Sequence, residues 1–225
     1  MAKPTEAVNP VGPGGYRSAL IATVLALIPA IATYVATSID KVRSAKLEYV
    51  NKQIEHLYGP LYALTQADDK AWHQFIKTFS SIDRRYFFDT RNPPTIEQTD
   101  AWRVWMKTVF QPLNVKMEDA IVGNSQLVIG DKLSPVFQDL ITQTEAYKAV
   151  IGSWKDADRA DKTKYLSPES NTVLALNYPI GIIECVRVGY DQLKLRQQRL
   201  EDGFDFEAIF AGPLSPAPDC DKHAN

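Results

Sequence analysis

Residues 19–39, ALIATVLALIPAIATYVATSI, run for 21 positions without a formal charge. As a helix rising ~1.5 Å per residue, this run is ~31 Å long, matching the ~30 Å hydrocarbon core of a bilayer. The chain beyond residue 39 is polar enough to stay in water. The expected architecture is all-α: an N-terminal single transmembrane helix followed by an antiparallel bundle of about five helices, several kinked by proline. Its divisions are a disordered N-terminal arm at 1–18, the transmembrane helix at 19–39, a soluble helical bundle at 40–202 and a flexible C-terminal tail at 203–225.

Arg17 precedes the run, whereas Lys41, Arg43, Lys46 and Lys52 lie closely behind it. That excess favours a cytoplasmic C-terminal domain held at the inner (cytoplasmic) membrane. The competing reading is a signal peptide with Leu20 to Ile28 as its apolar region and Ala30-Ile31-Ala32 as a small-residue cleavage pattern, exporting the rest after cleavage near Ala32. The apolar run continues through Tyr34, Val35, Ala36 and Ile39, which suits a span better. Pro29 leaves the Leu25 carbonyl without its helical donor, so a kink is expected there. Ala22, Ala26 and Ala30 place small side chains on one stripe, which permits packing of the span against another helix and a homo-oligomer. Lys41, Arg43 and Lys46 are positioned for contact with anionic lipid headgroups, at about 1 kcal/mol per residue.

Beyond residue 39 there are 23 basic and 26 acidic residues, a net charge of −3, so nucleic acid is excluded as a partner by charge. About 160 residues remain for the bundle, enough for one core. The two cysteines, Cys185 and Cys220, do not make a disulfide framework, and Cys185 sits in an apolar helical pattern as a small buried hydrophobe.

Along the chain, Leu47, Val50, Ile54, Leu57, Leu61 and Leu64 form a helical seam that keeps its register across Gly59-Pro60, predicting one kinked continuous helix. Asp68 to about Asp83 forms a second amphipathic stretch with Trp72, Phe75, Ile76 and Phe79. Thr95 with Gln98 has the form of a capping box. The helix it opens carries a wide apolar face from Trp102 to Ile121, with Pro112 as a second kink. Ser134 before Pro135 reads as an N-cap. Residues 155–170 read as a solvated loop, and Pro179 as the opening of the last long helix. In the tail, Phe204, Phe206, Ile209 and Phe210 are expected to fold back onto the bundle, ahead of a disordered end.

Three stretches are landmarks: Asn51 to Tyr62 (NKQIEHLYGPLY), Trp102 to Asn114 (WRVWMKTVFQPLN), and Ala146 to Val150 (AYKAV) with Trp154. With Tyr178-Pro179 they resemble an uncharacterised family of bacterial helical proteins. The resemblance covers roughly residues 45 to 200 and implies a helical protein with no activity to carry over. Similar sequences are expected to hold a histidine near Gln143, where this chain has none.

Chemistry-bearing patterns are sparse. His56 and His73 are preceded three residues back by Gln53 and Lys70, so the Glu-x-x-His pair of a di-iron bundle is absent. Asp69 and His73 share a helix face as a surface pair. No H-E-x-x-H, Cys-x-x-Cys or Gly-x-Ser-x-Gly occurs. Glu118-Asp119 and Glu201-Asp202 read as solvated faces. So do Arg84-Arg85 and Lys194, Arg196 and Arg199. Trp102, Trp105 and Trp154 read as core rather than as a ligand pocket. No catalytic, cofactor or metal residues are assigned. The function expected is a membrane-anchored scaffold, adaptor or sensor, with the lipid bilayer and a protein of unknown identity as partners. The alternatives are a membrane-perturbing effector that oligomerises through the span and, less favoured, an enzyme with an unrecognised site.

Overall fold

In the computed structural model the described residues are 14–79, 87–88, 93–173, 178–203, 205–216 and 220; for 14–26, 156, 157 and 206 only the backbone is described. Arg84, Arg85, Phe204 and His223 lie outside the described residues. The chain divides into two compact units, Met1–Lys46 and Leu47–Asn225.

The first unit holds most of α1 (Gly14–Gln53), a single helix that includes all of 19–39 and carries Pro29 inside it. Over the described residues, no helix is long and apolar enough to cross a membrane. Residues 19–26, the first third of the charge-free run, have their side chains outside that set, and the described remainder is too short to span alone. The transmembrane reading therefore does not follow from the fold.

In the second unit, α1 passes without a loop into a π-helical turn (Ile54–Tyr58) and α2 (Gly59–Phe79). The continuous kinked helix expected from the seam is thus present. It also absorbs the stretch from Asp68 to Phe79, which the apolar pattern alone set apart. Proline has no N–H and crowds the carbonyl four residues back. The helix answers Pro60 by widening just upstream, where the Gly59 N–H donates to the Ile54 carbonyl five residues back. A Cβ on Gly59 would lie 2.6 Å from that oxygen, so only glycine fits. The same device recurs between α3 (Ile96–Trp105) and α4 (Gln111–Gly123): a π turn, Met106–Phe110, precedes Pro112, and the Gln111 N–H donates to the Met106 carbonyl.

Next come α5 (Pro135–Ser153), then a 3-10 turn (Asp156–Ala160), α6 (Lys162–Leu166) and α7 (Pro168–Asn171). Local polarity had suggested an open loop over this last region; caps from Asp161 and Ser167 instead close short helices. The chain ends with α8 (Gly181–Glu201) and α9 (Phe206–Phe210). The described residues contain no strand, and the fold is all-α. Within the unit, α2 packs on α4 and α8, α4 on α5, and α5 on α8, a closed four-helix ring. Leu57, Leu61, Met117, Ile121, Phe137, Leu140, Ile182 and Leu193 fill it. Near the end of α2, the centroid of Phe75 lies 5.2–6.1 Å from those of six rings: Trp72, Phe79, Phe87, Trp102, Trp105 and Phe110. Trp102 and Trp105 are therefore committed to packing.

Thr95 makes the capping box in full: its Oγ1 accepts from the Gln98 N–H at 3.2 Å, and its own N–H donates to Gln98 Oε1 at 2.9 Å. Ser134 occupies the N-cap of α5, but its hydroxyl makes no capping bond and is buried without a partner. Only its carbonyl serves the helix, accepting from the Phe137 and Gln138 N–H groups.

The cysteines correct the sequence reading. Cys185 is fully buried in α8 as expected, yet it is bonded to Cys220, 35 residues away. Spacing alone cannot reveal such a pair, because only the fold of the tail brings the sulfurs together. Closing a loop of that length stabilises the folded state by about 4 kcal/mol in the chain-entropy treatment. Ile209, buried beside α8, and Pro216, whose ring meets Gly130, show that this part of the tail folds back on the bundle, whereas Phe210, expected to do the same, stays 64% exposed.

The tightest packing constraint is at Gly189, where a Cβ would lie 2.5 Å from Cε1 of Tyr58. Gly189→Ala is expected to destabilise the unit by about 2–3 kcal/mol in denaturant titration. Combining it with Tyr58→Leu, which removes the ring, should cost clearly less than the sum of the two single changes.

Candidate functional site

The most unusual surface is the described part of α1. Every residue from Leu27 to Thr37 is exposed, eleven in succession and so around the whole helix circumference. Leu27, Ile28, Ile31, Tyr34 and Val35 are each 48–75% exposed. Covering what these five side chains still expose is favourable by about 4–9 kcal/mol in total, of the order of the net stability of a whole domain. The aliphatic hydroxyls on and just after this segment are satisfied internally. The Thr33 hydroxyl donates to the Pro29 carbonyl, Thr37 to Thr33 and Ser38 to Tyr34, each at 2.8 Å. Back-bonded hydroxyls ask nothing of water, which makes the surface compatible with hydrocarbon.

At the end of this segment, Lys41 is exposed, Arg43 is half-buried and pairs with Asp40 at 3.7 Å, and Lys46 is half-buried and engaged. Of the small-residue stripe, Ala30 is exposed, while the side chains of Ala22 and Ala26 lie outside the described residues.

Polar chemistry in the second unit is concentrated in two places, neither legible in the sequence. Arg103 is stacked between rings, its guanidinium carbon 4.0 Å from the centroid of Tyr165 and 5.0 Å from that of Trp154. Its Nε donates to Asn171 Oδ1 at 2.7 Å. Asn171 donates in turn to the carbonyls of Tyr165 and Ser167, and its own carbonyl accepts from Trp102 Nε1. The Tyr165 hydroxyl donates to Asp100, which also pairs with Arg159 at 2.8 Å. Burial lowers the Arg103 pKa, while Tyr165, Asp158 and Asp100 act against it. The assembly fastens α6 and α7 to α3 through one cation. Its only prior signal was Arg103 beside Trp102, which is too common a pairing to single out.

The second place is Asp68, buried on α2 and facing the Tyr178 hydroxyl. Burial raises its pKa to about 7, opposed by the Tyr178 hydroxyl and reinforced by Asp69. Oδ1 of Asp68 and the Tyr178 hydroxyl are close enough to influence each other, but neither completes a well-aligned hydrogen bond. Burial and the Asp68 charge push the Tyr178 hydroxyl well above its ordinary value.

Glu118, read as solvated, is 7% exposed and held by Lys148 at 3.1 Å; Lys148 also pairs with Glu145. His73 and Asp69 do meet at 3.5 Å on an exposed face. Arg196 donates to the Ala211 carbonyl, Arg199 reaches Asp205 at 4.0 Å and Lys194 bonds Gln197, so these cations serve the fold. Gln143 is buried with Oε1 unpartnered. A cleft of about 550 Å³ lies between residues 130–138, the loop before α5 and its first turn, and tail residues 213–216. Its lining includes Asp131, Lys132, Leu133, Ser134, Gln138, Leu214 and Pro216, so the charged groups it offers are one aspartate and one lysine, adjacent in sequence. Among the described residues, no three His, Cys, Asp or Glu side chains are grouped to hold a metal ion.

Both polar clusters are open to test. Unfolded aspartate titrates near 3.9, so between about pH 4 and pH 7 folded Asp68 keeps a proton that the unfolded chain releases. Stability should fall as pH rises through that window and level off above it; Asp68→Asn should flatten the slope and add on the order of 2–4 kcal/mol at pH 8, read by urea titration. Arg103→Ala should cost about 2–3 kcal/mol, and Arg103→Lys should recover little, because a lysine cannot both stack between the rings and bond Asn171 from a planar fork.

No protein-family model matches this chain, and neither does any curated protein or any solved structure.

Proposed function

We propose that this protein is a membrane-attached helical binding module. The charge-free part of α1 lies in a bilayer and carries the unit Leu47–Asn225, which recognises a protein partner. One observation supports this above the others: the exposed, all-round and mostly apolar surface from Leu27 to Thr37, with its threonine hydroxyls turned back on the helix. A helix apolar on every side is stable only where its surroundings are apolar too. Residues 19–26 continue the same character in sequence, bringing the charge-free stretch to the length of a span. Lys41, Arg43 and Lys46 then fall at headgroup depth.

Binding rather than catalysis is favoured by where the polar groups go. Arg103, Glu118 and Lys148 are spent on contacts within the fold, and the charged groups lining the cleft beside the tail, Asp131 and Lys132, are sequence neighbours rather than groups brought together from separate elements.

The test is carbonate extraction of membranes from cells expressing the full chain. The wild type should stay in the pellet. The double variant Ile28→Lys with Ile31→Lys should move at least tenfold toward the soluble fraction, since each charge at mid-span costs about 2.5–3.5 kcal/mol. Wild-type protein released by carbonate would refute the proposal. Dye release from vesicles containing the wild type would favour the membrane-perturbing alternative instead.

A further inference from the structure

We infer that the unit Leu47–Asn225 folds and works in an oxidising compartment, where the Cys185–Cys220 disulfide staples the C-terminal strap to α8. The inference concerns the side of the membrane on which the proposed module acts, and so rests on that reading for its topology but not for its chemistry.

The chain has two cysteines, and the fold pairs them. Both are enclosed: Cys185 is 0% and Cys220 4% exposed. Thiol–disulfide exchange needs a sulfur open to in-line attack, so with the strap docked neither sulfur is open to an exchanging thiol. A bond that cycled as a switch would need access that this one lacks; it is a structural staple set before the strap closes.

Three further contacts hold the same strap. Ile209 is buried, the Ala211 carbonyl accepts from Arg196, and the Pro216 ring rests 3.3 Å from where a Gly130 Cβ would lie. Gly130 has φ +95°, a conformation that favours glycine, in the loop whose Ile129 N–H donates to the Tyr58 hydroxyl. The strap therefore closes over a loop already pinned to the helix kink. Enclosing two thiols beside each other on such a surface is the arrangement of an exported protein, because the cytosol keeps thiols reduced.

Formation balances as an exchange with a protein of the disulfide-oxidant class. One cysteine thiolate attacks the oxidant's disulfide to give a mixed disulfide, and the other displaces the oxidant as a dithiol. Cys185 and Cys220 lose two electrons and two protons, and the oxidant's disulfide gains them.

Charge points the other way: Lys41, Arg43, Lys46 and Lys52 outnumber Lys3 and Arg17. That margin is two residues. An uncleaved signal-type anchor, or cleavage near Ala32, would each deliver the second unit to the oxidising side with Lys3 and Arg17 left behind.

The test uses the full chain in growing cells. Acid quenching freezes the thiol state; the denatured protein is then treated with a 5 kDa maleimide–polyethylene glycol before and after reduction. The expected result is no tag before reduction and two after. Two tags without reduction would overturn the inference. Cys220→Ser, run in parallel, should show one tag without reduction and calibrates the gel. Carbonate extraction of the same cells separates the two readings. A soluble protein with its disulfide intact sinks the anchor and leaves this inference standing, whereas a pelleted protein carrying two tags does the reverse.

Discussion

The second unit is organised around the ring of Tyr58. It projects from the π turn that Pro60 forces on the first long helix, occupies the space that only Gly189 leaves on α8, and accepts the Ile129 N–H at 3.0 Å. Three separate parts of the chain are thereby set by one side chain. Burial pushes its hydroxyl pKa to about 12, so the phenol stays neutral and the hydrogen bond persists at any ordinary pH. Four residues on, Tyr62 stacks on Tyr190 with centroids 4.9 Å apart and planes 7° apart. The kink and α8 are thus joined at two tyrosine contacts, one turn apart on the kinked helix and at the neighbouring residues Gly189 and Tyr190 on α8.

The second proline kink repeats the scheme with different chemistry. Phe110-Gln111-Pro112-Leu113 stands in the same relation to its π turn as Tyr58-Gly59-Pro60-Leu61 does. In both, the aromatic before the kink is buried, at 3% and 5% exposure. At the first kink glycine leaves the backbone bare for close approach. At the second, Gln111 turns its amide into the core and donates to the Thr144 carbonyl at 2.9 Å. Widened turns leave carbonyls to be satisfied from outside the helix, and the two copies use a neighbouring ring and a neighbouring amide to fill the surrounding space.

This explains what could be read from the residues and what could not. The seam through Gly59-Pro60, the capping box at Thr95 and the opening of α8 after Pro179 are local patterns, each decided within about one turn. The kinks were legible as prolines, but the π turns upstream were not, because they depend on what the widened turn packs against. Glu118 looked solvated beside Asp119, since only α5 brings Lys148 to cover it. The short helices of 156–171 looked like loop because their stabilising partner is Arg103, more than fifty residues away in sequence. The candidate surface on α1 divides the same way. Its apolar length is written in the chain, whereas the turning-in of Thr33, Thr37 and Ser38 is a property of the folded helix.

The disulfide makes its own demand on the architecture of the second unit. A C-terminal strap held by side-chain contacts alone would come away from the bundle readily. Ile209 and the enclosed cysteines bind that strap to α8 instead, and Arg196 and Arg199 hold it by the Ala211 carbonyl and Asp205. These charged contacts are exposed and individually weak. A covalent bond at the far end turns them into a closed loop, so that the strap loses little entropy in making them. The staple thus does its work at the C-terminal end of the fold, while the kink at Tyr58 does the equivalent work at the end nearest α1.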